Sequence, residues 1–224
     1  MENQTADIEW KDSGVPVSSK FDDPYFSLDN GVEETQHVFI DGNDLTNRFR
    51  DGFRIAELGF GTGLNFLVAW DAWARHGAKG TLHFTSFEAF PMSSEDMAQA
   101  HRSFPDFDGK RDALLDAWSP EGGEMRFGDV VLTVVIGDAR RAVPAWDGLA
   151  DAWFLDGFSP AKNPELWEPE LLHDVARHTA PFGTAATYTA AGFVRRALAE
   201  GGFEVTRIPG YGRKRHMTKA LMPL

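Results

Sequence analysis

Residues 54–67, Arg-Ile-Ala-Glu-Leu-Gly-Phe-Gly-Thr-Gly-Leu-Asn-Phe-Leu, constrain the fold of this chain more than any other stretch. An apolar run leads into three alternating glycines and then into a second apolar run. That pattern predicts a buried strand, a tight turn and the start of a helix. Gly59, Gly61 and Gly63 carry no Cβ, so a ligand can come close to the backbone there. The helix that follows aims its unpaired N–H groups at the same place. A nucleotide-like ligand is expected, although an ordinary strand-to-helix turn would also accept these glycines.

The spacing narrows the ligand. A dinucleotide fingerprint runs G-x-G-x-x-G, but here Leu64 stands where its third glycine would be. A P-loop would end in Gly-Lys-Ser/Thr, and here Asn65 and Phe66 follow the glycines. The acidic Glu57 at the end of the strand would repel a pyrophosphate. It suits a ligand with a cationic end, such as the sulfonium and ammonium groups of S-adenosylmethionine. Glu57, Gly59, Phe60, Gly61, Thr62, Gly63 and Asn65 are therefore expected around that cofactor.

From Phe53 onward the pattern alternates strand and helix. Strands are expected at 53–58, 81–87, 125–127, 130–136, 151–155 and 184–188, with a turn at Gly128-Asp129. Helices are expected at 64–75, 94–102, 165–178 and 190–199, and a closing antiparallel pair at 203–208 and 216–222. Such alternation implies an α/β fold with a mostly parallel sheet covered on both faces. The first fifty residues lack a helical period. With turns at 21–27 and 30–31 and a short strand at Gln36–Ile40, they predict a β-rich appendage, 1–50, before a main domain, 51–224.

In open α/β sheets, ligands bind beyond the C-terminal ends of the strands. The predicted strands place Glu57, Glu88, Asp138 and Asp156 at four such ends. Glu88 can accept both hydroxyls of a ribose. Asp138 can accept from an adenine amino group while the Ala139 N–H reaches a ring nitrogen. Asp156 would sit closest to the reactive methyl. Helix capping is the plain alternative for each.

The chain has 224 residues and no cysteine, which excludes disulfides and thiolate metal sites and fits a reducing compartment. No metal is expected. The start, Met1–Trp10, is acidic and polar, unlike a signal peptide, and no apolar run approaches membrane-spanning length. A cytoplasmic protein without membrane contact is expected. The net charge of −12 argues against casual nucleic-acid binding. Yet residues 181–224 hold seven Lys/Arg against two Asp/Glu, a net of +5. Arg195, Arg196, Arg207, Arg213, Lys214, Arg215 and Lys219 make a basic face there, or else a solvated surface with chance clustering.

Three segments carry a resemblance over nearly the whole chain: Glu57–Phe66, Asp151-Ala-Trp-Phe-Leu-Asp-Gly-Phe-Ser-Pro-Ala-Lys-Asn-Pro-Glu-Leu-Trp167, and Gly210-Tyr-Gly-Arg-Lys-Arg-His-Met217. Phe21–Ser27, Asn30-Gly31 and Thr187–Phe193 add to it. Together they resemble the methyltransferase domain of the tRNA 5-methylaminomethyl-2-thiouridine biosynthesis proteins. The resemblance implies a Rossmann-like class I S-adenosylmethionine-dependent methyltransferase with an antiparallel C-terminal strand. It also implies methyl transfer to the aminomethyl group of a tRNA wobble uridine. A separate or fused FAD-dependent oxidoreductase acting on the preceding step is the implied partner. His216 departs from the pattern, which more often has an acidic residue there.

The chemistry also stands apart from the resemblance. Methyl transfer to nitrogen is an in-line displacement by a neutral amine, which asks for alignment and a route for the departing proton. Asp156 is the expected catalytic group, orienting the amine and stabilising positive charge. Tyr25 and Phe158 can wall the pocket by stacking on the base, or can simply pack in the core. Lys214 and Arg215 are expected to meet tRNA phosphates. Two rivals remain at this stage: a methyltransferase for another amine, and a nucleotide-binding module without catalysis.

Overall fold

In the computed structural model, which describes residues 5–27, 30–77 and 79–224, the chain begins with three short antiparallel strands. These are β1 (Ile8–Trp10), β2 (Pro16–Ser18) and β3 (Asp23–Pro24). Of the polar opening stretch, Met1–Gln4 lie outside the described residues. Next come α1 (Gly31–Thr35), a π-helical turn at Gln36–Asp41 and α2 (Leu45–Arg48).

The strand expected at Gln36–Ile40 is therefore helical. Asn30 caps α1, its Oδ1 accepting the Glu33 N–H at 3.0 Å, and the helix so nucleated runs on through the apolar run. The wide π turn buries three consecutive residues, Val38, Phe39 and Ile40. Tertiary packing decides the outcome. Phe39 stacks on Phe154 at 4.9 Å between ring centres.

The main sheet and its helices follow as β4 (Phe53–Leu58), α3 (Leu64–His76), β5 (Leu82–Glu88), α4 (Ser94–Ala100) and α5 (Asp108–Ala117). Then come β6 (Gly123–Phe127), β7 (Val130–Ile136), α6 (Ala139–Ala145), β8 (Ala150–Leu155) and α7 (Pro169–Arg177). The chain closes with β9 (Thr179–Thr187), α8 (Gly192–Glu200), β10 (Glu204–Pro209) and β11 (His216–Leu221). Helices α5 and α6 were not expected from the sequence. Among the described residues no helix is long and apolar enough to cross a membrane.

The eight strands lie in the order β10-β11-β9-β8-β4-β5-β7-β6. The middle five, from β9 to β7, run parallel, while β6, β10 and β11 pair antiparallel at the two edges. The chain builds outward from β4 through β5 to β7, then returns to lay β8 on the other side of β4. The C-terminal ends of β4 and β8 thus form a topological switch point, where a crevice opens.

Strand β8 shows how the sheet gains a core on both faces. Ala152 and Phe154 enter the cluster with Phe39, Phe66, Trp73 and Phe84, whereas Trp153 and Leu155 enter the cluster with Trp167, Leu172 and Leu198. Val38, Ile40, Leu45 and Phe49, from the first fifty residues, belong to the first cluster. Phe154 is fully buried, with its edge against Phe84 as well as its face on Phe39. Phe154→Ala should cost about 3–5 kcal/mol in urea denaturation with little change in slope. A loss below about 1 kcal/mol would mean that this aromatic stack is not a principal support of the first core.

Candidate active site

The glycine turn after β4 is built for close approach. Gly59, Gly61 and Gly63 have φ of +85°, +54° and +74°, a region that side chains with a Cβ rarely enter. A Cβ on Gly59 would stand 3.5 Å from the Gly157 Cα, so the loops after β4 and β8 touch at this point. The Gly59 N–H donates to the Phe87 carbonyl at 2.9 Å, tying the turn to β5 as well.

A cavity of about 600 Å³ opens above this meeting point. Its wall includes Gly59, Phe60, Gly61, Thr62, Asn65, Glu88, Asp138, Ala139, Asp156, Tyr25, Phe158 and Lys214, all expected from the sequence. Three expected residues are not on that wall. Glu57 is fully buried, accepting from Asn65 Nδ2 at 2.8 Å and Ser86 Oγ at 2.7 Å. Glu57 thus reaches the cavity wall only through its hydrogen bond with Asn65. Gly63 directs its N–H back to the Phe60 carbonyl at 2.9 Å, closing the turn. Arg215 is exposed on the β10–β11 loop.

Each strand-end carboxylate is held differently. Glu88 accepts the Gly61 N–H at 2.9 Å through Oε2 and the Phe90 N–H at 2.7 Å through Oε1, so it shapes the glycine turn from the tip of β5. Asp138 caps α6 by accepting the Arg140 N–H at 2.9 Å, and the Arg140 guanidinium lies against the same carboxylate at 2.7 Å. That cation holds Asp138 below the usual carboxylate range. The capping role considered for Asp138 is thus real, and the residue lines the cavity as well. Asp156 accepts from Asn65 Nδ2 at 2.7 Å. Burial pushes its carboxyl up to about 6, against the opposing pull of the Asn65 and Gly157 N–H groups. Burial also raises Glu57 well above the ordinary range, opposed by Ser86 and Asn65.

The far wall is aromatic. Tyr25 meets Phe158 edge to face at 5.0 Å, and Phe21 stacks on the same ring at 4.9 Å. The Phe158 carbonyl accepts the Trp167 indole N–H at 2.9 Å, and Asp23 Oδ2 accepts the Ser159 N–H at 2.7 Å. The Phe-Asp-Asp-Pro-Tyr and Asp-Gly-Phe-Ser-Pro segments are thus joined into one wall. Tyr188 donates its hydroxyl to the Gly157 carbonyl at 2.9 Å. Burial raises the phenols of Tyr25 and Tyr188, which stay protonated at neutral pH.

Sequence reasoning missed Glu34 and Thr35, which also line the cavity. Glu34 Oε1 accepts from Lys214 Nζ at 2.6 Å, and Lys214 lies 4.2 Å over the Tyr188 ring. Tyr188 and Phe21 fall inside segments the sequence had singled out. Nothing local distinguishes Glu34 or Thr35, because helix α1 itself was not expected. Lys214 therefore stands at the cavity mouth rather than on a remote face. Arg195, Arg207 and Arg215 surround His216 and, after burial, depress its pKa. Three of the basic C-terminal residues thus cluster around His216, two positions along the chain from Lys214. Among the described residues, no three His, Asp or Glu side chains converge as metal ligands.

These residues suit S-adenosylmethionine. The glycine turn leaves room at the backbone, Glu88 offers carboxylate oxygens at the tip of β5, and Asp156 offers a negative charge opposite. The comparisons agree. The family model for S-adenosyl-L-methionine-dependent methyltransferases matches residues 105–223. The tRNA 5-methylaminomethyl-2-thiouridine biosynthesis bifunctional protein MnmC of Stutzerimonas stutzeri is 44% identical over 227 residues, covering 96% of this chain and 34% of its own. The protein of the same name from Chromobacterium violaceum is 46% identical, covering 97% of this chain and 34% of its own. The chain thus spans about a third of the length of these relatives. The crystal structure of MNMC2 from Aquifex aeolicus superposes with a TM-score of 0.79 at 26% identity, covering all of this chain and 73% of that one.

The raised pKa of Asp156 makes a stability prediction. The folded chain binds this proton more tightly than the unfolded chain, whose carboxyl titrates near 3.8. The resulting stabilisation is complete below that value and is lost as pH rises through about 6. Asp156→Asn avoids burying the charge, so it should stabilise the fold at pH 7–8 by up to about 3 kcal/mol. The gain should vanish near pH 4. Thermal melts at both pH values check this, and an Asn variant that is less stable at pH 7 would contradict it.

Proposed function

This chain belongs to the S-adenosyl-L-methionine-dependent methyltransferases, and we propose that it N-methylates the aminomethyl group of a tRNA wobble uridine. The product would be 5-methylaminomethyl-2-thiouridine. One observation carries the reading: a half-buried aspartate, Asp156, faces a cavity with an aromatic wall on one side and a glycine turn on the other. The names of the relatives supply the substrate class. Their description as bifunctional supports a partner activity, for which we propose an FAD-dependent oxidoreductase acting on the preceding step. With tRNA as the proposed substrate, we propose that the reaction takes place in the cytoplasm.

Bound S-adenosylmethionine supplies an electrophilic methyl on a positively charged sulfur. Glu88 would accept from the ribose hydroxyls, Asp138 and the Ala139 N–H would meet the adenine, and the turn from Gly59 to Thr62 would admit the cofactor to the backbone. Tyr25 and Phe158, which meet edge to face, would form the aromatic wall against which the uracil ring rests. Asp156 would accept a hydrogen bond from the amine and aim its lone pair at the methyl. Transfer of the methyl from sulfur to nitrogen would leave the positive charge on the nitrogen beside Asp156. A carboxylate with a pKa of about 6 is mostly ionised at pH 7, yet it takes a proton more readily than an ordinary aspartate. Asp156 can therefore steady that charge and accept the departing proton.

The reading is tested by incubating the protein with methyl-labelled S-adenosylmethionine and tRNA lacking the final methyl, with free small amines as competing acceptors. Label is expected on tRNA. Label on the amines alone would favour a small-amine enzyme, and cofactor binding without transfer would favour a module that lacks catalysis. Asp156→Asn should slow single-turnover transfer by roughly a hundredfold at saturating cofactor, the scale of lost acid–base and electrostatic assistance. A near-wild-type rate would remove Asp156 from the chemistry.

The basic cluster yields a separate prediction. Lys214→Glu and Arg215→Glu should raise the tRNA KM, flatten its salt dependence and leave cofactor affinity nearly unchanged. An unaltered KM in both variants would move the tRNA to another face.

A further inference from the structure

We infer that Asn65 is a positioning residue for Asp156, holding that carboxylate in register with the fully buried Glu57 while being held in turn by Thr35; the inference rests on the methyltransferase reading above. Asn65 is the second residue of α3 and is 7% exposed. Its Nδ2 donates to Glu57 Oε1 at 2.8 Å and to Asp156 Oδ2 at 2.7 Å. Its Oδ1 accepts from Thr35 Oγ1 at 2.8 Å. A primary amide has two N–H donors, and each faces a carboxylate here. Turning the amide over would set its oxygen against oxygens of both carboxyl groups, so the network fixes its orientation.

This geometry departs from a simple cofactor contact. Both N–H groups that could meet a cofactor oxygen are already engaged. What Asn65 does instead is join three segments at one point: α1 through Thr35, β4 through Glu57 and the loop after β8 through Asp156. The Asp156 side chain can swing only by giving up this hydrogen bond. The same bond favours the charged form of Asp156, because a donor stabilises a carboxylate more than a carboxylic acid.

Other groups also act on Asp156. Lys214, from the β10–β11 loop, favours its charge and Glu34, from α1, opposes it. Glu57 lies across the shared amide, and the Tyr188 phenol faces it after β9. Substitutions at Asn65 and Thr35 leave Lys214, Glu34 and Tyr188 in place; Asn65→Ser also takes a donor from Glu57, whereas Thr35→Val keeps it, so the two variants together report on the amide.

The test compares wild type, Asn65→Ser and Thr35→Val by carbon-13 NMR titration of the Asp156 carboxyl in ligand-free protein. The pH dependence of single-turnover methyl transfer and the Kd for S-adenosylmethionine are measured alongside. The wild-type carboxyl should titrate near 6. Asn65→Ser should move that midpoint up by about one unit and carry the acid limb of the rate profile with it. The rate at pH 7 should fall roughly tenfold and the Kd change less than about threefold, because positioning is lost and cofactor contacts are kept. Thr35→Val should move the midpoint in the same direction by a smaller step, and it decides the matter if Asn65→Ser does not fold. An unmoved midpoint in the folded variants overturns the inference. So does a Kd that weakens in step with the rate while the acid limb stays put, which would make Asn65 a cofactor contact. Wild-type protein without methyl transfer would refute the enzymatic reading, while the titration would still judge the hydrogen bond.

Discussion

Two carboxylates at the ends of neighbouring parallel strands, Glu57 fully buried and Asp156 half-buried at the cavity, are the constraint around which this structure is organised. Glu57 is the last but one residue of β4, Asp156 follows β8, and the two strands are adjacent in the sheet. A buried carboxylate without donors is costly, so each must find partners near at hand. Ser86 serves Glu57 from β5, the Gly157 N–H serves Asp156, and Asn65 serves both from the start of α3. The glycine turn is what brings Asn65 there. A looser or longer connection between β4 and α3 would leave the pair uncompensated.

That arrangement leaves Asp156 less stable than its surroundings would prefer and more useful for it. An aspartate in water gives up its proton too readily to serve as a base near neutrality. Burial raises its pKa towards the working range, at a cost to folding that the large two-faced core can bear. The aromatic wall adds a second selection. Tyr25, Phe158 and Phe21 present ring faces and edges in place of charges, which suits a flat base more than a flexible amine chain.

Much of this was legible in the sequence because it is written in local chemistry. The glycines of 59–63 announce a positive-φ turn, the apolar run of 151–155 announces a buried strand, and an acid directly after such a strand points at the crevice. What was hidden depends on long-range partners. Gln36–Ile40 has the composition of a strand, yet it is drawn into a helix by the Asn30 cap and by Phe39 packing on Phe154, more than a hundred residues away. With that helix went Glu34 and Thr35, whose roles exist only because α1 lines the cavity. Glu57 was legible as an important acid but not as a buried one. Its burial comes from β5 and α3 closing over it.

The most direct measurement is a crystal structure with S-adenosylhomocysteine, the demethylated cofactor, bound. The account predicts the ribose hydroxyls on Glu88, the adenine beside Asp138 and Ala139, and the sulfur facing the carboxylate of Asp156 across the space walled by Tyr25 and Phe158. A ribose turned away from Glu88, or a sulfur on the side of the cavity remote from Asp156, would contradict it.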